Sequence, residues 1–157
     1  MIKSKDIFNK GLLKMALKFH PKPGTILMCD FDTGFQVPEM VKNRPVIVLS
    51  PKRKRYSGLC TVVAISTREP DEIDNWCYQL PKESIPNLRF YQGKTSWVKG
   101  DMVYRVSFNR LNLIKVGKDK NSGNRLYFDQ SLEPNQLKHV YSCVLNALNL
   151  DKLTQYL

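Results

Sequence analysis

In NRPVIVLSPKRKRYSG, residues 43–58, a proline-led apolar run from Pro45 to Leu49 stops at a second proline, and four consecutive cations follow, Lys52 to Arg55. A short run rich in β-branched residues, bounded by Asn43 and Ser50, reads as a buried strand. A lone arginine, Arg44, leads into it and a strongly basic loop leads out. A solvated hairpin accounts for the loop alone. A surface that meets a polyanion, with Arg44 reserved for chemistry, accounts for both ends.

Outward from this run the chain repeats its pattern without repeating its sequence. Thr25–Phe31 and Leu59–Ile65 are two more short apolar runs bounded by turn residues, and Trp76–Leu80 and Met102–Phe108 are further strand candidates. Leu113–Val116 and Arg125–Phe128 flank Gly117–Asn124, whose Gly, Lys and Asn suit a hairpin turn. A helix is expected over Ile2–Phe19, where Phe8, Leu12, Met15, Ala16 and Phe19 share one face, and His20-Pro-Lys-Pro-Gly24 ends it. A second helix is expected over Pro134–Leu150, with Leu137, Val140, Tyr141, Val144, Leu145 and Leu148 as its apolar stripe and Pro134 in its first turn. Many short strands without alternating helices favour a small, mainly β, half-open antiparallel barrel. The expected single domain has a helical extension at 1–22, a barrel at 23–128 and a C-terminal helix at 131–152. The long loops Asp32–Asn43, Ser50–Gly58 and Pro81–Thr95 are where function is expected to sit.

At 157 residues such a domain buries a core without metal or disulfide staples. Its charge is unusual: 25 Lys and Arg against 14 Asp and Glu leave a net +11. That excess attracts nucleic acid, anionic membrane or acidic protein. No apolar run approaches the ~20 residues that span a bilayer, and the first residues lack a signal-peptide core, so a cytoplasmic protein with no membrane association is expected. The four cysteines, Cys29, Cys60, Cys77 and Cys143, form no C-x-x-C pair, and His20 and His139 stand apart from any second ligand. No metal site and no cofactor follow from them. Cys29 and Cys60 lie inside apolar runs and read as buried free thiols.

Asp32-Thr33-Gly34 spells the D-T-G of retroviral-type aspartic proteases. A second, glycine-ended apolar run should then cradle the loop, and only Val116-Gly117, set among lysines, approximates one. A turn closing the first strand is the better reading.

Order along the chain says more. PGTILMCDFDTGF (23–35), NRPVIVLSP (43–51), the basic loop, GLCTVVAIST (58–67) and SWVKGDMVYRVSFNRL (96–111) together resemble the PemK/MazF family of toxin endoribonucleases. PEMVKNRP (38–45), VKGDMVY (98–104) and the long N-terminal segment resemble its longer, YifN-like branch. The resemblance implies an SH3-like barrel, usually a homodimer, that cuts single-stranded RNA without metal and is restrained by an acidic antitoxin. It places the family's catalytic arginine on Arg44, its catalytic threonine on Ser66 with Thr67 beside it, its acidic residue on Asp101 and a basic residue on Lys99. Serine in place of threonine keeps the hydroxyl. The family's acidic loop after the first strand is replaced by Gly34–Lys42, where Glu39 is the acidic candidate. The expected RNA-binding residues are Lys52, Arg53, Lys54, Arg55 and Tyr56 of the basic loop, with Lys42 and Arg68 near the strand ends. Phe35, Tyr91 and Trp97 are candidate stacking platforms.

The chemistry asks for these residue types. Without metal, the 2′-hydroxyl attacks the adjacent phosphorus, so a site must take a proton, stabilise a dianionic centre and protonate a leaving oxygen. A guanidinium suits the second task because its planar fork holds two phosphate oxygens. Its pKa lies too far above neutrality for Arg44 to serve as base. Asp101 is the more natural proton acceptor, with Ser66 a donor to a phosphoryl oxygen and Lys99 placed to screen the leaving group. Each residue alone has a plainer explanation. Arg44 would pair with Asp30 or Asp32, Ser66 and Thr67 would end a strand, Asp101 would be a turn residue and the basic loop would be solvated. A toxin-like barrel that binds a protein, as gyrase poisons do, or binds RNA without cutting it, is the alternative function.

Overall fold

The structure is a computed structural model that describes residues 17–55, 58–89 and 91–157. Six strands form one antiparallel sheet: β1 (Ile26–Asp30), β2 (Asn43–Val48), β3 (Leu59–Ser66), β4 (Cys77–Leu80), β5 (Ser96–Ser107) and β6 (Leu111–Asn112), in the order β4-β5-β3-β2-β1-β6. A separate hairpin, β7 (Lys115–Lys118) with β8 (Arg125–Tyr127), and a helix, α1 (Pro134–Ala147), complete the fold. The expected half-open, mainly β architecture is this sheet, whose end strands β4 and β6 do not pair with each other.

The central strands read as unbroken apolar runs because both their faces are covered. Successive side chains of a strand point to opposite faces. Leu27, Val46, Val48, Val62 and Ala64 enter one core cluster with Phe31, Cys60 and Leu111, while Ile26, Ile47, Val63 and Ile65 enter a second with Val98, Leu132 and Val140. Helix α1 covers the second face through Val140, with Leu137, Tyr141 and Val144 packed against the same cluster. The Tyr141 hydroxyl donates to the Leu49 carbonyl at 2.7 Å, tying helix to sheet. Gln136 accepts from the Glu133 N–H at 3.0 Å at the helix start, where Pro134 costs no hydrogen bond. The four cysteines form no disulfide, and Cys29, Cys60 and Cys143 are buried.

Four expectations need correction or restriction. Strand β5 begins at Ser96, not at Met102, because Lys99-Gly100-Asp101 is a bulge inside a long strand and not a break before a short one. Opposite it, β3 advances from Val63 to Ile65 while β5 runs from Val103 to Val98. Leu113–Val116 is not one strand but the joint between β6 and β7. Helix α1 ends at Ala147, Asn149 takes a left-handed φ of 59°, and Leu148 is 63% exposed instead of completing the stripe. The expected N-terminal helix falls largely on residues 1–16, outside the described part, and residues 17–20 carry no helix.

The bulge is held by close packing. A Cβ on Gly100 would stand 2.5 Å from the Cys143 carbonyl oxygen and 2.7 Å from that of Trp76, so only glycine lets the backbone of α1 approach here. The Gly100 N–H donates to the Trp76 carbonyl at 2.9 Å. Lys99 and Asp101 are thereby fixed at the end of the sheet where β3 stops.

Candidate active site

The ladder between β2 and β3 pairs Val46 with Ala64 and Val48 with Val62, and it begins one residue past Pro45, which has no N–H to give. From Asn43 to Pro45, β2 pairs with β1 only. The edge it leaves free lies beside Ser66, the last residue of β3. Arg44 and Ser66 therefore stand at the same end of the hairpin, across a gap the sheet does not close.

A cavity of about 610 Å³ fills that gap, lined by Arg44, Ser66, Arg68 and Lys99 together with Glu39, Trp76 and Met102. Pairing of Ser66 with Trp97 and of Ile65 with Val98 brings the β5 bulge, and Lys99 with it, alongside Ser66. Bulges next to functional sites commonly re-aim side chains in this way. Ser66 Oγ accepts the Arg68 N–H at 3.1 Å, which leaves the hydroxyl proton free to be donated into the cavity. Arg44 is half-buried, and its Nε donates to the Val41 carbonyl at 3.3 Å. Asp32, a plainer partner for Arg44, instead accepts from the Asn43 side chain at 3.3 Å.

Arg44 also forms a wall of a second cavity, about 750 Å³, lined by Lys42, Thr67, Arg89 and Lys94 with Asp32, Leu88 and Tyr91. Four cations face one carboxylate there. On the first side, three cations, Arg44, Arg68 and Lys99, share the walls with Glu39, Glu69, Asp71 and Glu72. One side of Arg44 is a basic trough with aromatic and apolar floor, and the other is mixed in charge. An exposed ion pair, Arg68 with Asp71 at 3.7 Å, lies on the mixed side and contributes little to stability.

The structure thus brings Arg44, Ser66, Lys99 and Arg68 together, and sets Lys42 and Thr67 in the adjoining trough. Asp101 is exposed on the bulge and is not among the residues lining either cavity. Its charge, like that of Glu39, nevertheless reaches Tyr104, whose phenol is raised mainly by burial and further by those carboxylates. Glu39 does line the cavity, with its Oε2 accepting from the Gln36 N–H at 2.8 Å. Lys99 pairs with Cys77 across the sheet, and its charge partly offsets the rise that burial gives that thiol.

The basic loop is placed differently from the sequence expectation. Lys52 to Arg55 are all exposed, but they join the end of β2 to the start of β3, whereas the cavity lies at the other end of both strands. At about 3.4 Å per residue, the run from Arg44 to Val48 alone carries the chain about 14 Å away. Tyr56 lies outside the described residues. Trp97 is 5% exposed and packs within the sheet, so it offers no stacking surface. Phe35 is engaged edge-on by Phe31 and Tyr104, with the Arg110 guanidinium 5.1 Å from its ring centre. Tyr91 does line the trough. Asp32-Thr33-Gly34 is a turn, pinned by Arg110, which donates to the carbonyls of Asp30 at 3.1 Å and Thr33 at 2.7 Å. Among the described residues no three His, Cys, Asp or Glu side chains gather as a metal-binding group.

Arg89 and Lys94 escaped the sequence reading. The signal was present in LRFYQGK, residues 88–94, where two cations flank a pair of aromatic residues inside a long loop, a pattern suited to nucleic acid.

Residues 22–125 match the family model of the PemK-like, MazF-like toxins of type II toxin-antitoxin systems. A protein of Escherichia coli K12 described as the putative uncharacterised protein YifN is 31% identical over 152 residues, covering 86% of this chain and 96% of that one. An uncharacterised protein of Haemophilus influenzae is 32% identical over 150 residues, covering 88% and 98%. Among solved structures, a mycobacterial endoribonuclease in complex with its cognate antitoxin superposes with a TM-score of 0.54 at 17% identity, over 83% of this chain and 97% of that one. MazF from Deinococcus radiodurans gives 0.54 at 18% identity, over 83% and 98%.

Proposed function

The chain belongs to the PemK-like, MazF-like toxins of type II toxin-antitoxin systems, and we propose that it is a metal-independent endoribonuclease that cuts single-stranded RNA. The observation that carries this reading is the cavity at the open end of β2 and β3, where a half-buried arginine meets a serine hydroxyl and a lysine. Arg44 holds the scissile phosphate by its fork, Ser66 donates to a phosphoryl oxygen and Lys99 meets the charge that develops on the leaving oxygen. A carboxylate accepts the 2′-hydroxyl proton. Glu39 lines the cavity, and Asp101 stands on its bulge, so both are candidates for that role. The RNA backbone runs along the trough of Lys42, Arg89 and Lys94, with Tyr91 available to a base. Thr67 lines the same trough. The protein acts in the cytoplasm as a homodimer, and an acidic antitoxin neutralises its +11 charge.

Purified protein incubated with single-stranded RNA in excess EDTA should leave 2′,3′-cyclic phosphate and 5′-hydroxyl ends. Light scattering on the same sample should give twice the chain mass. Absence of cleavage removes the nuclease, and a binding barrel takes its place. A monomer at micromolar concentration removes the dimer alone.

The distance between the basic loop and the cavity gives a second expectation. Lys52 to Arg55 serve as a remote anchor for long RNA. Neutralising all four should weaken binding of long RNA and flatten its salt dependence, by about 0.7 in the log–log slope for each phosphate no longer neutralised. It should leave kcat, and the affinity of oligonucleotides too short to reach the loop, as they were. An unchanged slope would take the RNA path off this loop.

A further inference from the structure

Among the described residues, the Tyr91 hydroxyl is the buried side-chain polar atom that has no hydrogen-bond partner. Buried hydroxyls are costly to leave unpaired, and phenylalanine would fill the same space at no such cost. Packing therefore does not explain the oxygen. Its surroundings do. Tyr91 forms part of the wall between a cavity of about 170 Å³ inside its own loop and the trough it shares with Arg44. Arg44 is the charged group that acts on its hydroxyl, close enough to be felt but short of a well-formed hydrogen bond.

We propose that Tyr91 is a positioning residue for Arg44, with its hydroxyl an acceptor held ready for the guanidinium when a phosphate draws the fork into the cavity. The inference rests on Arg44 being the phosphate ligand. A guanidinium has five N–H donors. Val41 takes the one on Nε, Tyr91 takes one on a terminal nitrogen, and enough remain to grip two phosphate oxygens. The choice of a phenol has a physical reason. A carboxylate in that place would neutralise the cation, whereas a phenol orients it and leaves its charge for the substrate. Burial outweighs Arg44 and raises the Tyr91 pKa, so the hydroxyl stays neutral at physiological pH. The bond tightens most as charge builds on the phosphoryl oxygens and draws the fork onto them, so it acts on turnover more than on binding.

Tyr91→Phe tests this. The expected result is a fall in kcat of about tenfold, as for loss of one hydrogen bond to a charged group, with KM within twofold. In an Arg44→Ala background the same change should have no further effect. The NMR signal of the Arg44 Nε–H, in complex with an RNA made uncleavable by 2′-deoxy substitution, should be sharp in the wild type and broadened in Tyr91→Phe. Wild-type kcat in Tyr91→Phe, or an equal loss in the Arg44→Ala background, overturns the proposal. If the wild type cuts no RNA, the nuclease reading has failed separately. The Arg44 signal then decides alone, and its being unaltered in Tyr91→Phe rejects the positioning role.

Discussion

Arg44→Ala should lower kcat by a hundredfold to a thousandfold and change the affinity for RNA by much less. The size follows from deleting one preorganised donor to a developing oxyanion, about 3–4 kcal/mol, and the asymmetry follows from the charges around it. Lys42, Arg89 and Lys94 line the trough beside Arg44, and Arg68 and Lys99 share its other cavity, so on the proposed path the RNA backbone would keep most of its partners when one cation goes. What it loses is the fork. The Pro45 ring behind Arg44 and the strand behind Pro45 fix the backbone, and the Val41 carbonyl receives Nε. Arg44→Lys should recover little of the loss, because a point charge cannot bind two phosphate oxygens in one plane. Single-turnover cleavage separates the two quantities. A mutant that binds less tightly but cuts at the wild-type rate would make Arg44 a mere phosphate anchor and move the chemistry elsewhere.

The sheet was legible because its central strands are buried on both faces, which writes Pro45–Leu49 and Leu59–Ile65 as apolar runs no surface segment would carry. Arg44 and Ser66 were named through the resemblance to the PemK/MazF family, and their places were legible because each abuts one of those runs. The start of β5 was not. Gly100 and two flanking charges resemble a turn when read alone, and their real cause is the backbone of α1, some forty residues later, pressing on Gly100. The position of the basic loop was not legible in this way. Lys52–Arg55 stands close to Arg44 in sequence, but β2 carries the chain to the far end of the hairpin, so that run, unlike Lys42, does not share its trough. The other cations of that trough, Arg89 and Lys94, come from a loop whose course no local pattern fixes. The exposed position of Asp101 has the same origin. A bulge sets which way each of its side chains turns, and that depends on the register with β3 as well as on the local residue types.

A single 2′-deoxy nucleotide on the 5′ side of the cut should abolish cleavage there while leaving the RNA bound. The reaction proposed needs that hydroxyl and nothing else from outside the chain. Its oxygen forms the new bond to phosphorus, the bond to the 5′-oxygen of the next nucleotide breaks, the 2′ proton passes to a carboxylate and the leaving oxygen takes a proton in its turn. Removing one oxygen atom deletes the nucleophile, yet every phosphate that Arg44, Lys42, Arg89 and Lys94 are placed to meet is still present. Binding, which is dominated by those phosphates, should change little. The contrast discriminates sharply between chemistries. An enzyme that activates water attacks the phosphorus equally well beside a deoxyribose, and would go on cutting. A binding barrel would cut neither substrate. Loss of cleavage with retained affinity, in the presence of EDTA, is the outcome that only the 2′-hydroxyl mechanism gives. Cutting at the substituted position would replace it with a hydrolytic one, and the roles assigned to Arg44 and Ser66 would then have to be rebuilt around a water molecule.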